Sequence, residues 1–177
     1  MNSQAWLVEL NKVKKFNELA GNLTNVTPEK LVAQQKVIDE ELSELNKAII
    51  AKDKVEILDG WCDVVVTVYG KCLMLNDHKD INEMFRLIRL YQEIVDLEVK
   101  LSTQGYKTFE AFQRVCDNNL LKFPLVSEKD KYQYDEGITL TVSEVDSNYL
   151  VPKDANGKVR KFKDFPKVDL TDLIPQY

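Results

Sequence analysis

The segment from Trp61 to Leu75, WCDVVVTVYGKCLML, is the most apolar stretch of the chain and constrains the fold more than any other. Asp63 and Lys71 interrupt it, so it does not read as a membrane span. A helix this apolar on all sides must be covered on all sides by other elements. The expectation is therefore a third helix over 53–75 at the centre of a helical domain.

The neighbouring segments supply the cover. Trp6, Leu10, Val13, Phe16 and Ala20 recur at helical spacing and stop at Gly21, which predicts a first helix over 3–20. The sequence TPEK provides Thr27 as N-cap and Pro28 at the first helical position of a second helix running to about Ala51. The short connection AKDK makes the second and third helices antiparallel neighbours. Residues 80–102 predict a fourth helix with two apolar stripes, one of Met84, Ile88, Tyr91, Val95 and Val99, the other of Leu87, Leu90, Ile94, Leu97 and Leu101. Two stripes need two partners, the body on one side and a second subunit on the other. A fifth helix begins near Thr108 and ends before Pro124. Beyond Pro124, ITLTVSEVDSNYLV alternates and DANGK holds the turn-favouring pair Asn156-Gly157, so a small β-hairpin is expected near 138–161, with a basic, proline-punctuated tail after it. The fold class expected is all-α: an antiparallel bundle of about five helices, residues 1–124, with a C-terminal hairpin and tail over 125–177.

Other features narrow the function. A net charge of −5, from 24 basic and 29 acidic residues, argues against coating nucleic acid or an anionic membrane. Cys62, Cys72 and Cys116 form no CxxC pair and read as reduced thiols of a cytoplasmic protein. The N-terminus lacks the basic-then-apolar order of a signal peptide. No GxxxxGK[ST] loop occurs, and no serine or cysteine nucleophile with a partnering base is visible.

Six carboxylates stand out against this background. At about 100° per residue, Glu40, Glu41 and Glu44 share one face of the second helix, and Glu56, Asp59 and Asp63 share one of the third. A carboxylate inside an apolar helix must be protonated, paired or metal-bound. Two of them about 5 Å apart repel by about 3 kcal/mol at an effective dielectric near 20, so a cation is required among them. Lys47 and Lys54 are candidates, and an oxygen-only cluster also suits Mg²⁺ or Mn²⁺. A solvated acidic face with pairs such as Glu44 to Lys47 is the competing reading. A di-iron bundle would want Glu-x-x-His motifs, whereas the one histidine, His78, lies outside both clusters.

EELSE and, further on, EILD resemble the EExxE, spacer, ExxD pattern of MazG-type all-α nucleoside triphosphate pyrophosphohydrolases, a group that includes dimeric dUTPases and phosphoribosyl-ATP pyrophosphohydrolases. The segments VKKFNELAG, VIDEELSELNKAI, VEILDGWCDVVVTVYG and GYKTFEAFQRVCDNNLLKF are similar to the successive helices of phage-type members, and the ending DANGKVRKFKDFPKVDL to their C-terminal hairpin. Residues 77–104 look like an extra helix that shorter members lack. The acidic motif has two registers. Glu56 and Asp59 match it literally. In the other register the apolar run after Asp63 resembles the run after the family's aspartate, with Gly60 then at a glutamate position and Asp59 replacing it.

The resemblance implies Mg²⁺-dependent hydrolysis of a (deoxy)nucleoside triphosphate to monophosphate and pyrophosphate in a cytoplasm, that of a phage host included, by a homodimer or homotetramer. It implies Glu41, Glu44 and Asp63 as leading metal ligands, joined by Glu40, Asp59 and Glu56, with Glu41 or Glu44 orienting or deprotonating the attacking water. Asn119 and Lys122 would contact phosphate or sugar, though a helix cap and a solvated lysine fit them too. Phe16 and Asn17 would face the base, although Phe16 also lies on the core stripe. Lys161, with Lys158, Arg160 and Lys163, would reach a phosphate site or form a solvated strand face. Base-specific dUTP or dCTP hydrolysis, phosphoribosyl-ATP hydrolysis and a catalytically silent nucleotide- or partner-binding module are the alternatives.

Overall fold

The computed structural model describes residues 3–75 and 81–176. Five α-helices lead: α1 (Ser3–Leu19), α2 (Pro28–Ala51), α3 (Lys54–Met74), α4 (Ile81–Thr103) and α5 (Thr108–Leu120). After them come a 3₁₀ helix (Val126–Lys131) and two antiparallel strands, β1 (Thr139–Val142) and β2 (Leu150–Lys153). The helical bundle and the C-terminal hairpin are thus both present. His78 and the expected start of the fourth helix at residue 80 lie outside the described residues.

Local chemistry sets the helix ends. Thr27 is extended and its hydroxyl accepts from the Lys30 N–H at 3.3 Å, with Pro28 opening α2. Lys52 turns the chain with a left-handed φ of 58°, and the Asp53 carboxylate then accepts from Val55 N at 3.1 Å and Glu56 N at 3.2 Å to cap α3. So short a turn folds α3 back along α2. Their backbones can close because position 60 is glycine: a Cβ there would stand 3.2 Å from Leu45 Cα.

α3 touches each of the other four helices, as its apolar composition demands. Leu58, Cys62 and Val64 are sealed from solvent with Ile38 of α2 and Phe112 of α5. Trp6, Trp61 and Phe112 pack ring against ring, and the Trp61 indole N–H donates to the Ile94 carbonyl at 3.3 Å. Lys71, the basic interruption of this helix, is 1% exposed and is neutralised by Glu83 of α4, with the Gln35 side-chain carbonyl of α2 accepting a second hydrogen bond. Of the two stripes on α4, Leu87, Ile94 and Leu101 are buried against the body.

The hairpin differs from expectation in its turn. β1 pairs with β2 from Thr139↔Lys153 to Val142↔Leu150 across residues 143–149. Asn156-Gly157 instead makes a separate reversal after β2, with Asp154 N donating to Lys158 O at 3.1 Å and a bridge from Lys153 to Val159. A turn dipeptide acts locally; burial decides which limbs pair. Val151 packs with Leu19, Ala20 and Phe123 in a second small core, so β2 becomes the shared central limb. The tail is pinned as well: Leu170 and Leu173 enter the main core, and the Arg114 guanidinium grips both carboxylate oxygens of Asp172 at 2.6 and 2.8 Å. No described helix is long and apolar enough to cross a membrane. Cys62, Cys72 and Cys116 are free thiols.

Candidate active site

Because α2 and α3 run antiparallel in close contact, their acidic faces meet along one edge of the pair. Glu41, Asp59 and Asp63 are partly buried there, while Glu40, Glu44 and Glu56 stand exposed around them. Burial, and after it the charges of Asp59 and Glu41, pushes the Asp63 carboxyl from 3.8 to about 7. Glu41 is raised by burial and then by Glu44, and Asp59 by burial and then by Glu56. Position 60 faces the α2 backbone, so an acid has no room there and Asp59 with Asp63 carry the acidic edge of α3.

The positive charges facing this cluster come from outside the two helices. Lys54 turns away to donate to the Pro175 carbonyl at 2.9 Å. Lys122, just past α5, and Lys161, from the tail, instead offset the raised carboxyls of Asp59 and Asp63, and Lys158 offsets that of Glu41. Burial, and then the neighbouring Lys161, lowers the Lys122 ammonium to about 8, so it remains mostly protonated at neutral pH. Its Nζ donates to Asn119 Oδ1 at 2.6 Å and lies 5.5 Å from the centre of the Phe16 ring. Lys158 Nζ stands 3.3 Å from Glu40 Oε2. Burial, shifted pKa values and convergence of acids with lysines are the marks of a candidate functional site.

The structure therefore brings Glu41, Asp59, Asp63, Lys122 and Lys161 into one electrostatic cluster, with Glu40, Glu44 and Glu56 around it. Asn119 joins through Lys122. Phe16 stands beside Lys122 and packs edge-on against Phe123 at 5.0 Å. Asn17 is elsewhere: it is 4% exposed, donates to Val13 O at 2.9 Å, accepts from Asn22 at 3.0 Å and packs against Gly70, two helical turns along α3 from Asp63. Arg160 is committed to Asp154 at 2.7 Å, and Lys163 leans toward Asp135, so only Lys158 and Lys161 of the basic tail face the acids. The contact between Lys158 and Glu40 spans 118 positions of sequence, and its only sequence signal is the opposite charge of tail and helix.

Among the described residues no three histidine, cysteine or acidic side chains converge closely enough to form a ready-made metal centre. The donor set nevertheless fits a hard divalent ion chemically: it is all oxygen, and burial, then mutual repulsion, raises the pKa of its acids despite the facing lysines. Glu41, Asp59 and Asp63 are the groups that would hold one.

Fold and site together define an all-α bundle with an acid cluster on its central helix pair, faced by lysines from the C-terminal half. Residues 13–88 match the model of the family described as phosphoribosyl-ATP pyrophosphohydrolase, PRA-PH, one of the groups embraced by the resemblance drawn from the acidic motif. The match spans less than half of the chain. It holds all six carboxylates, Phe16 and Asn17, and leaves out Asn119, Lys122 and the tail. Comparisons with the curated proteins and with the solved structures gave no match.

Proposed function

We propose that the protein is a MazG-type pyrophosphohydrolase that cleaves a nucleoside triphosphate of the cytoplasmic pool to the monophosphate and pyrophosphate. The observation that carries this reading is the meeting of Glu41, Asp59 and Asp63 with Lys122 and Lys161 at one edge of the α2–α3 pair. Mg²⁺ or Mn²⁺, which Glu41, Asp59 and Asp63 would hold, would supply charge neutralisation and a more acidic bound water.

The chain's own groups do the rest. Lys122, fixed by Asn119, and Lys161 hold the phosphate chain as paired point charges. Glu41, assisted by Glu44, orients the attacking water and accepts its proton; its upward-shifted pKa makes it a better base than an ordinary glutamate. Phe16 offers a ring face beside Lys122 for the base.

A second reading, phosphoribosyl-ATP as substrate, is supported by the family match over 13–88. Both are tested by incubating the purified protein with each common NTP and dNTP and with phosphoribosyl-ATP, with and without Mg²⁺, and separating the products. Metal-dependent monophosphate and pyrophosphate, lost in Glu41→Gln, support the class, and the substrate turned over fastest decides between the readings. No turnover by a folded protein that binds Mn²⁺ overturns both and leaves a silent nucleotide-binding module.

A further inference from the structure

A cavity of about 320 Å³ opens where the end of α1 and the start of α2 meet the hairpin, a volume at the lower end of small-molecule sites. Lys30 of α2 and Lys153 of β2 line it together. Their ammonium groups donate to consecutive carbonyls, Lys153 Nζ to Ala20 O at 2.6 Å and Lys30 Nζ to Gly21 O at 3.2 Å, and Lys30 donates also to Thr24 O at 2.6 Å. Lysines at the carbonyl end of a helix satisfy its last acceptors, but one cation suffices for that. The second sets two like charges side by side, and burial, then the Lys30 charge, lowers the Lys153 ammonium below its ordinary value.

Nothing anionic in the cavity balances the pair. The one acid on its lining, Glu144, is exposed and forms no ion pair with either lysine among the described residues. Donors, by contrast, are in surplus. An ammonium has three N–H groups and no acceptor, so one of Lys30 and two of Lys153 remain beyond the carbonyl bonds. Asn25, held at a left-handed φ of 48°, adds a side-chain amide that makes no hydrogen bond among the described residues. Paired ammonium point charges suit the oxygens of a phosphate, whereas a planar carboxylate is matched best by a guanidinium fork. Leu19, Val142 and Val151 give the same cavity an apolar wall.

We propose that this cavity binds a small phosphate monoester. Lys30 and Lys153 hold the phosphate, the Asn25 amide donates to it, and the apolar wall meets the organic part. The site is separate from the acid cluster: Lys30 precedes Glu41 by eleven positions, about 16 Å along α2.

The test is a ¹H–¹⁵N nuclear magnetic resonance titration of the full chain in chelator, with ribose 5-phosphate and inorganic phosphate as probes. Ribose 5-phosphate is expected to shift the backbone amides of Gly21, Asn25 and Ser143 saturably, and inorganic phosphate to shift the same amides more weakly. Lys30→Met and Lys153→Met are each expected to raise the dissociation constant roughly tenfold. Asn25→Gly, which keeps the backbone conformation and leaves both lysines in place, is expected to raise it roughly fivefold. The spectra report in the same experiment whether each variant is folded. No shift at the three amides, a dissociation constant unchanged in the folded variants, or inorganic phosphate binding as tightly as the ester would each overturn the proposal. Shifts confined to the surroundings of Asp63 and Lys122 would overturn it too, while leaving the acid-cluster site standing.

Discussion

Replacing Asp63 with asparagine removes one negative charge from the acid cluster at nearly constant volume, and linkage gives the size and sign of the effect. The folded carboxyl sits near 7 against an ordinary 3.8. A carboxyl raised in the folded state contributes its full stability below the unfolded value, and that stability is lost as pH rises toward the folded value. The gap corresponds to about 4 kcal/mol as an upper bound, and relaxation and solvent screening bring the expected figure to about 2. In chelator, urea unfolding of the wild type and Asp63→Asn should agree near pH 3.5. The variant should then gain steadily between about pH 4 and 7 and hold a constant advantage above that. Saturating Mg²⁺ at pH 8 should stabilise the wild type and leave the variant nearly unmoved; at a hundred times the dissociation constant the gain is about 2.7 kcal/mol. An advantage independent of pH, or a variant less stable than the wild type at pH 8 in chelator, would refute the electrostatic reasoning.

Packing and charge set three further outcomes. Gly60→Ala should destabilise the fold by roughly 1 kcal/mol despite alanine's better helix propensity, because the added Cβ meets Leu45 Cα at 3.2 Å; thermal unfolding reads it. Lys71→Ala should cost about 3 kcal/mol by leaving a cavity beside the Glu83 carboxylate, and Lys71→Met should recover most of that loss in the same assay. Lys158→Ala should change stability by less than about 0.5 kcal/mol, since its pair with Glu40 is exposed, while raising the Michaelis constant for a triphosphate at low salt.

Periodicity and caps are short-range, and where they governed the structure the sequence was readable. Thr27 and Pro28 open α2, Gly21 comes just after α1, and the doubly striped pattern forms a helix from Ile81 to Thr103 with Leu87, Ile94 and Leu101 inward. The carboxylates were legible for the same reason: α2 and α3 are joined by so short a turn that face and register are set by the helical period. The hairpin was legible only in part. Asn156-Gly157 does reverse the chain, but the pairing of β1 with β2 is decided by Val151 finding Leu19 and Phe123, contacts distant in sequence. Long-range placement likewise hid which tail lysines reach the acids. Arg160 and Lys158 lie two residues apart, yet one is held by Asp154 and the other by Glu40, and nothing local distinguishes them. Asn17, expected from the sequence to face the base, donates within α1 to Val13 O and packs against Gly70, a contact that no local pattern announces.

The central claim, that Glu41, Asp59 and Asp63 form with Lys122 and Lys161 a site for a divalent ion and a phosphate chain, is tested most directly by titrating Mn²⁺ and monitoring the free ion by electron paramagnetic resonance. The account predicts depletion of free Mn²⁺ by the wild type, tightened by a non-hydrolysable triphosphate analogue and abolished in Asp63→Asn, while Lys122→Met keeps the metal and loses the tightening. Free Mn²⁺ undiminished by the wild type, or binding unchanged in Asp63→Asn, would contradict it.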